Sequence, residues 1–299
     1  MGTVTAVRRY PVKSMLGEAL TAVRVGERGL SGDRRFAVLD AAGAVGSAKH
    51  PRKWEPLLRC RARLTGPGTA RVELPDGTVL AAGTAALDAR LSELLGRQVT
   101  VSDKPPEHGT LERAVPGYEG GLPDVLRATA SPDETGDLIT SGRVAPGTFF
   151  DHGTVHLVTT ASLRRLHQAC PAGDFDPRRF RPNLVVDLPG GPGFPEDSWP
   201  GATLRIGAAL FRVTVPTPRC VVPALRHDEL PADPGIMRTV AREHRVPVRT
   251  LGPLSCVGVY LDVLEPGTVR TGDPVTVDTG KQRITGPGLG PPPVDTLPG

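Results

Sequence analysis

Cys220 stands in PTPRCVVP, between two prolines and next to Arg219, directly after the strand-like run FRVTV. Prolines on both sides stiffen the loop. A guanidinium beside a thiol favours the thiolate, which is both a nucleophile and a soft ligand for a soft metal centre. A structural cysteine packed under a loop fits the same local features, so both readings stand at this point. Cys60 and Cys256 adjoin strand-like runs and Cys170 ends a helical one, so packing accounts for them. No two of the four cysteines share a CxxC spacing, which argues against a zinc site or a dense disulfide framework and fits a reducing cytoplasm.

Three further clusters set cations and hydroxyls at turns: YPVKSM (10–15), GLSGDRRF (29–36) and RFRPNLVV (179–186). Lys13 and Ser14 follow Pro11 at the end of the first strand-like run, where an ammonium and a hydroxyl can meet a phosphate or another anion. A solvated loop is the plainer reading of either. Pro182 removes a backbone donor, leaving Arg181 and Asn183 either to bind a ligand or to stitch a loop to the sheet. With 31 Arg against 5 Lys the chain is arginine-biased, so Lys13 and Asn183, the only Asn, are the more informative residues. His152 and His156 are four apart, but DHGTVHLV reads as a strand, where that spacing separates them by about 13 Å and does not suit a metal pair. No phosphate-binding loop, GxSxG elbow or HExxH motif is present.

The elements that must position these residues are mostly short strands. TVTAVRRY (3–10), TAVRVG (21–26), RRFAVLD (34–40), LLRCRARL (57–64), TVHLV (154–158), NLVVDL, TLRIG, FRVTV, VGVYLDVL and PVTVD carry the strand signal. Helices are expected from Thr84, with Gly96 as the stop, over 160–170 with Thr160 or Ser162 as cap, and over 234–245 with Asp233 as cap. This predicts a mainly β protein with a few short helices, a β-barrel core and a smaller β-rich N-terminal part. The divisions expected are a unit over 1–102, a turn-rich connection over 103–150, a barrel over 151–278, and a tail over 279–299 too poor in apolar residues to order itself.

With 299 residues, 38% apolar residues and 36 Gly, the chain is long enough to bury a core without staples. No run of 18 apolar residues and no signal-peptide pattern occurs, so neither a membrane span nor membrane association is expected. The net charge of +4 is spread along the chain, giving no support to nucleic-acid binding.

Taken in order, YPVKSM, GLSGDRRFAVLD, RFRPNLVV, PRCVVP and YLDVLEPGTVRTGDPV resemble the MOSC-domain proteins that carry an N-terminal MOSC β-barrel domain, over about residues 3 to 278. The resemblance implies a protein of the molybdenum cofactor (molybdopterin), similar to the amidoxime-reducing components and to bacterial reductases of N-hydroxylated base analogues. It assigns the metal-ligating cysteine to Cys220, with Arg219 beside it, and the cofactor's phosphate and pterin to Lys13, Ser14 and Arg34. It further maps the hydroxyls before the first MOSC helix to Thr159 and Thr160, the RPN motif to Arg181 and Asn183, and the GVY position to Tyr260. The expected activity is that of a molybdenum-dependent oxidoreductase, acting on small N-hydroxylated substrates such as amidoximes or hydroxylamines with electrons from a separate flavin- or ferredoxin-type donor. The alternative is a carrier of the cofactor, or of persulfide sulfur on Cys220, without turnover. The chain departs from its relatives after Cys220, where VVPALRHDELPADPG replaces an acidic DPxTG-type turn.

Overall fold

The alternating run at the N-terminus forms the strand Gly2–Arg9, with Val4 and Val7 buried. In the computed structural model, which describes residues 1–115 and 127–280, this strand lies between Leu184–Asp187 and Pro274–Asp278 and pairs antiparallel with both. From Pro274–Asp278 the pairing continues to Thr203–Ile206, then Ala209–Pro218, then Pro253–Glu265, then Val155–Thr159. Val155–Thr159 returns to Leu184–Asp187 and closes a ring of seven strands. That last pair alone is parallel, and the helix Thr160–Ala169 makes the crossover that a parallel pair requires.

The protein is thus mainly β with few short helices, built around a seven-stranded barrel. Closure leaves no unpaired edge within the ring. Side chains fill its interior, among them Val7, Leu157, Leu184, Phe211, Val259 and Val275. Ala209–Pro218 alternates buried and half-buried positions along its length, as a strand with one face on a core must.

The remainder of the N-terminal half packs separately. Arg61–Gly66, Thr69–Glu73 and Val79–Ala81 form one sheet, and Ala37–Asp40 pairs with Val99–Ser102. The helix Ala85–Leu95 lies in the same core with Leu87 and Leu91 buried beside Trp54, Leu57 and Val72. A further tie between the halves is Ala22–Gly26 paired with Gly267–Arg270. The unit expected over 1–102 therefore lends its first strand to the barrel expected over 151–278. Within 103–150 the chain forms a three-stranded sheet of Thr110–Ala114, Leu138–Arg143 and Ser131–Pro132, and Leu111 and Phe149 pack against Ala37 and Val45. From residue 281 the expected tail lies outside the described residues.

Helix caps follow the sequence with one correction. Thr84 Oγ1 accepts from Leu87 N, and Gly96 ends that helix at φ 63°. Asp233 Oδ1 accepts from Gly235 N at the start of Pro234–Glu243. The cap of Thr160–Ala169 is Thr159, not Thr160 or Ser162, because the Thr159 hydroxyl accepts from Ser162 N. The run 57–64 also differs: Glu55–Arg59 is a 3-10 turn that buries Leu57 and Leu58, and the strand starts at Arg61. Pro56, the second residue, favours that turn, since its fixed φ and missing N–H suit the first turn of a helix.

Because one stave of the barrel comes from the far N-terminus, residues 145–280 expressed alone should show no cooperative thermal transition by near-UV circular dichroism. A sharp, reversible transition in that piece would contradict the dependence.

Candidate functional site

Gly2–Arg9 runs antiparallel to Leu184–Asp187, with Val7 opposite Leu184. The chain leaving the first strand at Tyr10–Ser14 therefore emerges beside Arg181–Asn183, which leads into the second. Cys220 follows Ala209–Pro218 at the same end, and Tyr260 belongs to the adjacent Pro253–Glu265. Between them lies a cavity of about 110 Å³ whose wall includes Lys13, Ser14, Arg34, Arg181, Asn183, Arg219, Cys220 and Tyr260. The structure thus brings together residues from five separate sequence motifs and from both halves of the chain.

Ser14, Arg34 and Arg181 adopt left-handed backbone conformations, at φ 65°, 46° and 55°. They are three of the five non-glycine residues with positive φ among the described residues. Each such conformation costs about 1–3 kcal/mol and persists only where surrounding contacts enforce it. Those contacts are present: Ala48 N donates to Ser14 Oγ at 3.1 Å, Arg34 N to Tyr10 O at 2.8 Å, and Arg181 N to Arg178 O at 3.1 Å.

Asp33 and Asn183 lock the floor. Asp33 Oδ1 accepts from Tyr10 N at 2.7 Å, and its other oxygen accepts from Asn183 Nδ2 at 3.0 Å and from Arg34. Asn183 Oδ1 accepts from His156 N at 3.0 Å, joining the floor to the strand Val155–Thr159. With both ends of its amide used by protein, Asn183 stitches the loop to the barrel and positions Asp33. The guanidinium carbons of Arg34 and Arg181 lie 4.6 and 4.4 Å from the centre of the Tyr10 ring, where the ring face attracts cations. Burial pushes Arg181 down to about 10, with Arg34 adding repulsion, and its Nη1 is buried with no hydrogen-bond partner among the described residues.

Lys49 and Asp151 also line the cavity, and neither stands in a motif that marked it in the sequence. Lys13 Nζ donates to Phe149 O at 2.7 Å and to Asp151 Oδ1, while Lys49 Nζ meets Asp151 Oδ2 at 2.6 Å. Burial lowers Lys13 to about 8 against the opposing attraction of Asp151. Asp151, which burial alone would raise, is held well below the usual carboxylate range by the two lysines.

Cys220 is a half-buried free thiol packed with Ala48, Leu58 and Val222. Arg219 turns its Nη2 to Phe180 O at 2.8 Å, leaving its Nε buried with no partner among the described residues. His156 and His152 meet at the Tyr260 ring, with centroids 5.7 and 5.5 Å away. Burial drives His156 down to about 3, so it is neutral, and its Nε2 lies 3.2 Å from Val257 O. Gly258, at φ 78°, makes that approach possible, because a Cβ there would stand 2.8 Å from His156 Nε2 and 2.2 Å from Leu157 O.

The segment after Cys220 is tied down by Arg179, which is wholly buried. Its guanidinium donates to Pro223 O, Leu225 O and Pro231 O as well as to Asp174 O. Arg61 binds Asp228 of the same segment, fastening it to the N-terminal half.

Thr159 and Thr160 do not reach the cavity. Thr159 Oγ1 caps the helix and bonds Glu196 at 2.8 Å, and Thr160 Oγ1 bonds Asp187. A second cluster, His50, Glu112 and Asp133, has metal-ligating types within 4.8 Å of one another. The Lys53 ammonium lies among them, 2.7 Å from Glu112 and 3.0 Å from Asp133, so a side-chain cation already balances those carboxylates.

The donor set of the main cavity suits an anionic group that carries a soft metal centre. Five cations, Lys13, Lys49, Arg34, Arg181 and Arg219, are met by Asp151 in the wall and by Asp33 behind Arg34, and among the described residues two guanidinium nitrogens lack partners. A thiol stands on the same wall.

His156, at about 3, and His227, pushed by burial down to about 4, make stability depend on pH. Both folded values lie below the ordinary 6.5, so the unfolded chain takes up these protons first. The contribution is complete above pH 6.5 and is lost as pH falls towards the folded values, by about 1.4 kcal/mol per pH unit for each histidine. Urea midpoints measured from pH 7.5 to 4.5 should fall accordingly, and His156→Gln should flatten the slope. An unchanged slope in the variant would contradict the assignment.

Residues 1–104 match the MOSC N-terminal beta barrel domain and residues 145–276 match the MOSC domain. No curated protein matches the chain. Among solved structures it is similar to the YUAD protein from Bacillus subtilis, at 12% identity and a TM-score of 0.43, covering 92% of this chain and 94% of that one. It is also similar to YiiM from Geobacillus stearothermophilus, at 18% identity and a TM-score of 0.30, covering 42% of this chain and 54% of that one. For YiiM from Escherichia coli the values are 17% identity and a TM-score of 0.30, with 43% and 56% covered. Among the described residues no helix is long and apolar enough to cross a membrane. With both domain matches in sequence order and a seven-stranded barrel shared between them, the chain belongs to the MOSC family, as a MOSC domain preceded by a MOSC N-terminal beta barrel domain.

Proposed function

We propose that the protein is a molybdenum-cofactor oxidoreductase that reduces N-hydroxylated compounds, amidoximes or hydroxylamines, to the corresponding N–H compound and water. The observation that carries this reading is the convergence of Lys13, Ser14, Arg34, Arg181, Arg219, Cys220 and Tyr260 on one cation-rich cavity. The choice of substrate class rests on the likeness of the sequence motifs to the N-reducing members of the family.

When bound, the cofactor would supply a two-electron centre able to take up the N–OH oxygen. Everything else falls to the chain. Lys13 and Lys49 offer ammonium groups to a phosphate, and Arg34 and Arg181 offer planar donors beside the Tyr10 ring to a pterin. Cys220 Sγ offers the soft ligand, on a loop that Arg179 and the Arg61–Asp228 pair hold in place. Tyr260, whose phenol burial pushes above 10.0, keeps its proton at neutral pH, so it offers the departing oxygen a donor and not a base. Two electrons and two protons convert N–OH to N–H and water, and the electrons come from a separate flavin- or ferredoxin-type protein. A cytoplasmic setting goes with such a donor.

Protein made in a host that synthesises molybdenum cofactor should hold close to one molybdenum per chain and reduce benzamidoxime with reduced methyl viologen as donor. Cys220→Ala should lower the rate by at least a hundredfold. Molybdenum bound without turnover would favour a cofactor carrier, and a metal-free preparation would overturn the reading.

A further inference from the structure

The carboxylate in the cavity wall, Asp151, and the one behind Arg34, Asp33, are held in different ways. Asp33 has a side chain with no solvent exposure and is fixed by a backbone N–H, an amide and a guanidinium. Asp151 is fixed by none of these. Among the described residues its carboxylate meets the two lysines alone: Oδ1 on Lys13, Oδ2 on Lys49. The Asp151 side chain is also 25% exposed, so it has a path to water that Asp33 lacks. Lys13 does not depend on Asp151 for its position, because its Nζ also donates to Phe149 O at 2.7 Å.

A carboxylate bridging two ammonium groups through its two oxygens occupies the position that two oxygens of a phosphate would take. It is also an incomplete charge match, one negative charge for two positive ones, where a phosphate monoester near neutral pH brings close to two. Two ammonium groups left side by side in a buried site with no anion would repel, and Lys49 already works against protonation of Lys13.

We propose that Asp151 is a resident counter-anion: its carboxylate fills the seat of a phosphate monoester between Lys13 and Lys49 and is displaced when that phosphate binds. This rests on reading the cavity as a site for a phosphate-bearing cofactor, and it adds Lys49 to the residues that hold the phosphate and Asp151 as the group that competes with it. Asp151 then sets selectivity. A monoanion gains nothing by replacing a monoanion, whereas a phosphate dianion gains the second charge. The carboxylate also keeps the site neutral enough to stay folded before the phosphate arrives.

The test uses the full chain from a host that makes no molybdenum cofactor, with inorganic phosphate as the probe. If the seat is free about a tenth of the time, removing the competitor strengthens apparent binding about tenfold. Titration calorimetry should therefore give Asp151→Asn a phosphate Kd about tenfold below wild type, and adding Lys49→Met should abolish that gain. A crystal of wild-type protein soaked in phosphate should show the ion between Lys13 and Lys49 with the Asp151 carboxylate turned away. This measurement needs no variant to fold. Phosphate bound no more tightly by Asp151→Asn, or a soaked crystal in which Asp151 still bridges both lysines, would overturn the proposal. Displacement by phosphate in a protein that never acquires molybdenum would keep the seat and remove the cofactor reading. Molybdenum bound while Asp151 still bridges the lysines would do the reverse.

Discussion

Closure of the barrel by the strand Gly2–Arg9 is the constraint on which the rest of the molecule depends. A ring of strands has no slack: every stave must be present before all the backbone groups find partners. Here one stave lies more than 170 residues from its neighbour Leu184–Asp187 in sequence. Its insertion fixes where the chain comes out, and so sets Tyr10–Ser14 against Arg181–Asn183 at one end of the barrel. The site is therefore a product of topology, since neither half alone supplies both a cation-rich floor and a thiol-bearing wall.

Placing five cations around one partly enclosed space carries a desolvation cost, and the structure meets it with carboxylates, ring faces and backbone carbonyls. Asp33 is bound into the frame through Tyr10 and Asn183, and it steadies Arg34. Tyr10 lies beneath two guanidinium groups at once. Left-handed backbone at Ser14, Arg34 and Arg181 aims three of the polar side chains from turns whose geometry the neighbouring hydrogen bonds enforce. Among the described residues, Arg181 and Arg219 each keep a buried nitrogen without a partner, which an anion would satisfy.

Local chemistry was legible in the sequence, and long-range placement was not. Thr84 and Gly96 announced the helix Ala85–Leu95 because caps act within a few residues. The apolar pair Leu57–Leu58 read as strand because two buried residues fit either element, and only Pro56 hinted at the turn they form. The alternation in TVTAVRRY identified a strand but could not say which strands would flank it. Lys13, Arg181 and Cys220 stood out through their turns and prolines, Arg34 through the family likeness of GLSGDRRFAVLD, and the fold brings them together. Lys49 and Asp151 sit in SAKHP and FFDHG, segments with no local mark of function, and their pairing spans about a hundred residues. Thr159 and Thr160 show the opposite limit: hydroxyls at a helix start have ready uses in capping and in bonds to Glu196 and Asp187, which hold them away from the cavity.

Whether Cys220 offers its sulfur to a metal held in this cavity is tested most directly by X-ray absorption at the molybdenum edge. Protein purified from a cofactor-producing host should show three sulfur neighbours per molybdenum, two from the dithiolene and one from the chain. Cys220→Ser should show two. Identical sulfur counts in the two proteins would mean that Cys220 is not a ligand, and the functional reading built on it would fall.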